Sequence, residues 1–385
     1  MSTARKRRNA TLIGATLAAL AIGTLQPTAA ASAAPMSQAK TSASRQSPVF
    51  GVEEGIARTV ASSLLSQQWR EQVREAVLKS GEVDLHALTG KAADTAGTGL
   101  KSAVAGADRR ILSLKGLPAR TGSMLRIRLG AQSMRPHLTA ASAPWVAVAA
   151  TDDHAKTLTA YDSQGRRHTI DTSKVPDRPL YIVDIDVAKA HRAGLAVLHE
   201  ELVAKGLSKP QTRSGALNTT ATAGWWATKV DAIEVRDDEE PWFKGAAEMF
   251  SLVTGFGLDG KARVDSVDMP YLDYDNTVYY PNQILVNWSN YKYNLADVVM
   301  MEDDDGTNYK ALAQAITTAL LTITDQGTYI PLVNAVLSAM PDSWFTDDPD
   351  YVESWYTLAR NSSGRLNGAR GNGWMTVEPY FVEQF

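Results

Sequence analysis

The chain has no cysteine in 385 residues. That absence excludes disulfides, thiolate metal sites, sulfur acylation and a cysteine nucleophile. Histidine is scarce too, with six in all, each at or before His199. Read along the chain, the last half then lacks nitrogen and sulfur ligands. A metal held there must sit on oxygen, which means Ca2+ first and Mg2+ second. No long uncharged apolar run follows Leu25, so no membrane-spanning segment is expected in the mature chain. The sequence also lacks a G-x-S-x-G elbow and a G-x-x-x-x-G-K phosphate loop. His199-Glu200-Glu201 has no second histidine at helical spacing and reads as a solvated helix face. Basic residues are scattered rather than clustered, which argues against a nucleic-acid partner.

The first residues carry a targeting pattern. Arg5 to Arg8 form a basic stretch, Thr11 to Leu25 an apolar run, and Ala31-Ser32-Ala33 a small-residue cleavage site. Together they predict a signal peptide over 1–33, cleaved near Ala33, and a secreted protein. The paired arginines do not decide between export routes. Residues 34–48 are rich in Ala, Ser, Pro and Gln and are expected to be a disordered linker.

Charge and aromatic content change abruptly near Ala221. From Met36 to Thr220 there are 25 Lys and Arg against 17 Asp and Glu, a net of +8. From Ala221 onward there are 10 against 25, a net of −15, and 24 of the 29 aromatic residues. A polar stretch over 208–222, from Ser208-Lys209-Pro210 to Asn218-Thr219-Thr220, lies at the change and reads as a linker. The expected domains are therefore a small α+β unit over 49–207 and a second unit over 223–385.

In the first unit, Ile56, Val60, Leu64, Trp69, Val73 and Val77 make one apolar helix face. Leu158–Tyr161 and His168–Ile170 flank Asp162-Ser163-Gln164-Gly165 as a hairpin, and Leu180–Ile185 is the strongest strand. Helix returns over Ala188–Ala204. In the second unit, seven short strands are expected: 225–235, 246–254, 261–267, 279–288, 296–301, 351–359 and 374–382. A helical insertion interrupts them at about 307–341. The fold class is thus an α+β domain followed by an all-β, C2-like sandwich with a helical insertion.

Two acidic knots follow strands of the second unit. They are Asp237-Asp238-Glu239-Glu240 and Glu302-Asp303-Asp304-Asp305-Gly306, and a third cluster, Asp347-Asp348-Pro349-Asp350, precedes a strand. A sandwich gathers its loops at two ends, so Asp237, Glu239, Asp303, Asp305, Asp347 and Asp348 are candidate ligands for one Ca2+ site. Crowded carboxylates must protonate or take up a cation. The C2-like comparison is analogy of fold only. The second knot is not an EF-hand, because Leu312 stands where the bidentate Glu belongs. A solubilising acidic surface remains the alternative.

The favoured function is Ca2+-dependent binding, or a structural role, toward an extracellular or cell-envelope ligand. The runner-up is a secreted hydrolase of extracellular polymers. Trp225, Trp226, Trp242, Trp288, Tyr279 and Tyr280 are candidate sugar platforms, although aromatics in sandwiches usually belong to the core.

The runs Asp237 to Trp242, Gly245 to Glu248, Asp268 to Asp273, Asn282-Gln283 and Glu302 to Lys310 resemble those of a bacterial secreted family of uncharacterised proteins, a domain of unknown function. The resemblance implies an exported bacterial protein and brings no activity.

Overall fold

The computed structural model describes residues 47–152, 154–210, 224–237, 241–303, 306–340 and 351–383. The signal-peptide candidate, most of the expected linker, and Glu239, Asp305, Asp347 and Asp348 lie outside the described residues.

Helix α1 (Pro48–Ser63) opens on Ser47, whose hydroxyl accepts the Phe50 N–H, with Pro48 in the first turn. Both features satisfy or remove amide donors that a helix start leaves open. Helix α2 (Gln67–Ser80) is capped by Ser66 and stopped by Gly81 at φ 78°. The apolar face expected from Ile56 to Val77 is therefore carried by two helices. The five-residue step from Leu64 to Trp69 marks the break, and the Trp69 indole donates back across it to Ser63 Oγ at 3.0 Å. Strand β1 (Glu82–Asp84) leads into α3 (Leu85–Gly90), and α4 (Thr95–Leu114) follows, capped by Asp94.

Strands β2 (Leu125–Leu129), β3 (Trp145–Ala147), β4 (Thr157–Tyr161), β5 (Arg167–Asp171) and β6 (Leu180–Ile185) join β1 in sheet A, in the order β1-β2-β6-β3-β4-β5. The expected hairpin is β4–β5, with Thr157 opposite Asp171. Every residue of β6 is buried, as befits a central strand covered on both faces. Helix α5 (Val187–Ala204) follows directly.

The second half holds β7 (Trp225–Val235), β8 (Met249–Phe256), β9 (Ala262–Asp268), β10 (Gln283–Asn287) and β11 (Leu295–Glu302). Then come α6 (Tyr309–Leu320), α7 (Val333–Ala339), β12 (Tyr351–Ala359), β13 (Gly364–Asn367) and β14 (Gly373–Val382). The helices sit where the insertion was expected, and β13 is a strand the hydrophobic pattern did not announce. Two antiparallel sheets result: sheet B, in the order β10-β7-β14-β13, and sheet C, in the order β12-β11-β8-β9.

Alternation builds three layers. Val230, Ile233, Met375 and Val377 of sheet B meet Val253, Val298, Met300 and Trp355 of sheet C in one core. The opposite face of sheet C, with Phe250, Leu252, Val299 and Met301, packs under α6, α7 and the Leu195, Leu198 and Leu202 side of α5. Strand β11 is thus apolar on both faces. Helices precede a mainly β half made of open, sandwich-like sheets.

Residues 44–385 form one compact unit. Helix α5 contributes Ala190 and Val197 to the core over sheet A and its leucines to the core over sheet C. In return, Phe243 and Tyr309 of the second half lie in the core of the first. Among the described residues, no helix is long and apolar enough to cross a membrane.

Candidate functional site

Strand register sets the loops. Met301 stands opposite Tyr351, Glu302 opposite Met249, and Gly373 opposite Val235. The start of β8, the end of β11 and the start of β12 therefore share one end of sheet C, the end of β7 and the start of β14 share one end of sheet B, and the Asn372 and Gly373 N–H groups, which donate to Glu353 Oε2 on β12, bring these two ends together. The segments that hold the three acidic clusters all attach there. Of the six candidate ligands, the structure describes two. Asp237 is exposed, and its carbonyl accepts the Asn372 amide at 2.9 Å. Asp303 is fully buried.

The Asp303 carboxylate closes a polar network between the two halves. Its Oδ2 lies 2.9 Å from His191 Nδ1 and also accepts the Tyr309 hydroxyl. His191 Nε2 lies 3.2 Å from Asp268 Oδ1, and the ring leans on Phe250. Burial opposes charge on this imidazole, yet the bonds to Asp268 and Asp303 outweigh it and lift it to about 9. Burial likewise pushes the Asp303 carboxyl up. The His191 bond, the Lys115 charge and the Tyr309 hydroxyl pull harder and hold it below its ordinary value. Lys115 is fully buried, 5.6 Å from the Tyr309 ring, and its carbonyl accepts the Tyr309 N–H. Asp303 Oδ1 is buried with no hydrogen-bond partner among the described residues.

The first knot is anchored by the same half. Arg128 pairs with Asp184 at 2.7 Å and donates to the carbonyls of Phe243 and Lys244. The Trp242 indole donates to Thr172 O at 2.8 Å, while Phe243 fills the first core. The opposite charges of the two halves thus meet where His191 of α5 and Lys115, the residue after α4, face Asp303, while Arg128 of β2 holds the root of the first acidic loop by its backbone carbonyls. Placing every histidine away from the acidic half followed chain order alone, and His191 corrects it. Even so, among the described residues no group of three His, Cys, Asp or Glu side chains is arranged to hold a metal.

Glu353 is a third organiser of this end, and sequence patterning missed it. Fully buried on β12, it accepts the N–H groups of Ser354 and Arg370 on Oε1 and of Asn372 and Gly373 on Oε2. A Cβ on Gly368 would stand 1.9 Å from its carboxyl carbon. The available signal was one charged residue, Glu353, inside a β12 that is otherwise uncharged, with a glycine-rich run downstream.

The candidate sugar platforms separate. Trp288 is core, its indole donating to Thr228, and Trp242 is the anchor above. Trp225 and Tyr279 are half-buried, and Trp226 and Tyr280 are exposed.

The chain belongs to a family described as "Protein of unknown function (DUF3103)", which matches residues 56–385 and so spans both halves. No curated protein and no solved structure matches it.

Proposed function

We propose that this is an exported binding or structural protein that engages its ligand through the loop end of the sandwich, with Ca2+ as the counter-ion of the acidic rim. The observation that carries the reading is the strand register, which attaches the segments of all three acidic clusters to one end. Asp237, Glu239, Asp303, Asp305, Asp347 and Asp348 are the proposed oxygen donors. Asp303 would offer only Oδ1, since Oδ2 is engaged by His191 and Tyr309. A donor set made of oxygen suits a hard cation. Export rests on the basic, apolar and small-residue pattern before Ala34.

Calorimetric titration of the full chain with Ca2+ tests the reading. Extracellular calcium modules bind at about 10⁻⁴ to 10⁻³ M. At ten times the dissociation constant, Ca2+ would add about 1.4 kcal/mol of stability. Chelator should then lower the melting temperature, and Mg2+ should restore it poorly. Asp305→Asn with Asp347→Asn should remove the response. The absence of binding heat, together with superimposable melting curves in Ca2+ and chelator, refutes it.

A further inference from the structure

Strand β5 is the outer strand of sheet A, bonded to β4 on one side. Asp162 N–H donates to Arg166 O, and Thr172 N–H donates to Lys156 O, so the even-numbered residues of β5 bond to β4. Direction alternates along an antiparallel ladder, and the N–H and C=O groups of Arg167, Thr169 and Asp171 therefore point outward. Among the described residues nothing bonds to these groups. The strand is held from its inner face. Ile170 is buried, and the His168 ring stacks on Trp145 at 3.9 Å and lies 3.0 Å from Asp162 Oδ2. Arg167, Thr169 and Asp171 are exposed. The other sheet edges are covered, interrupted or short. Beside β9, Leu207 O accepts the Val264 N–H, and beside β12 the Ala369 N–H donates to Ser354 O. The Trp355 indole donates to Leu366 O on β13, and β10 carries a register shift between Ile284 and Val286. Strand β1 has three residues, and its Glu82 and Asp84 are bound to Arg126. An open, flat strand edge is a template for another chain.

We propose that β5 pairs with β5 of a second copy of this chain, antiparallel about a two-fold axis at Thr169, so that two six-stranded sheets become one. Charge complementarity selects this occupant. The outward residues are Arg167, Thr169 and Asp171, a cation and an anion on either side of an uncharged centre. Turned about Thr169, each Arg167 faces Asp171 of the other copy, and the two threonines face each other. A register shift of two residues either way breaks both ion pairs, and an in-register parallel pairing sets like charges side by side. Opposite charges and Thr–Thr pairs across a ladder favour pairing, while like charges oppose it. Arg167 gives one N–H to Thr159 Oγ1 at 2.8 Å, and Asp171 Oδ1 accepts the Ser173 N–H at 2.9 Å. Each keeps further donors or lone pairs for its counterpart. The outward groups of both strands would exchange about six backbone hydrogen bonds. Main-chain bonds then supply the affinity and side chains the register. The contact is isologous, so it closes at two copies. A five-residue strand buries little area, so the dimer is weak and depends on concentration.

Sedimentation velocity of the full chain in chelator, from micromolar to millimolar concentration, tests this. A monomer–dimer equilibrium is expected. Arg167→Asp should weaken association about tenfold, as should Asp171→Arg, since each sets like charges face to face. The double variant should return to within about threefold of wild type, because its facing charges are opposite again. Thr169→Pro removes an N–H that the monomer does not use. It should abolish the dimer while its circular dichroism stays native. Thr169→Cys gives a second readout, since the chain has no other cysteine. The facing α-carbons would stand about 5.5 Å apart, within disulfide reach, and mild oxidation should yield a covalent dimer. A monomer at every concentration, wild-type affinity in Arg167→Asp, or a double variant as weak as the single ones overturns the proposal. Chelator keeps Ca2+ out of the measurement, so this reading and the one at the loop end fail separately.

Discussion

Replacing His191 with Gln keeps hydrogen-bonding capacity at the junction of the two halves and removes its charge. Five segments face the imidazole or its partners: the end of β9 through Asp268, the residue after β11 through Asp303, α6 through Tyr309, the residue after α4 through Lys115, and β8 through Phe250. The ring is 3% exposed, so solvent screens little of this. Raising the imidazole from 6.5 to about 9 corresponds to about 3 kcal/mol of folding stability. The folded-state value is the higher one. That contribution is therefore complete below about pH 6.5 and is lost as pH rises through about 9. Asp303 runs the other way: its folded value is depressed, so its share is present above its ordinary value near 3.8 and is lost on acidification. His191→Gln should thus cost about 3 kcal/mol at pH 6, within the range for removing one partner of a buried pair. The deficit should shrink toward zero near pH 9.5. Urea unfolding followed by tryptophan fluorescence at pH 6, 7.5 and 9.5 measures it. A deficit that does not change with pH, or an unchanged midpoint at pH 6, refutes the argument.

Gly194→Ala should destabilise by several kcal/mol, because its Cβ would stand 2.0 Å from the Tyr309 ring. Thermal melting checks this, and adding Tyr309→Leu should recover part of the loss. Glu353→Gln should cost about 2 kcal/mol, since it replaces a carboxylate serving four backbone N–H groups, and hydrogen exchange should quicken first at Arg370, Asn372 and Gly373. Thr357 holds φ 55° while its N–H donates to buried Asp297, a conformation that strains a β-branched residue. Thr357→Gly should therefore stabilise by about 1 kcal/mol in denaturant titration, provided the Asp297 contact persists.

Local physics decided most of the elements. Strand β12 was legible over 351–359 and β7 over 225–235, because sandwich strands alternate sides and end at turn residues. The helices between β11 and β12 were legible because Leu312, Ile316 and Leu320 share one face. Strand β13 was not, since Gly364-Arg365-Leu366-Asn367 has little apolar surface and pairs only because β14 lies beside it. The anionic clusters were visible as charge, but their fate was not. Asp303 meets His191 across 112 residues, and Asp268 meets it across 77. Charge counted along the chain predicts repulsion within a knot. Only the docking of α5 against sheet C decides that a cation from the other half stands beside it. Composition thus set the two opposite charges, and tertiary packing set where they cancel, because Coulomb energy depends on distance in space and on burial, and sequence separation measures neither.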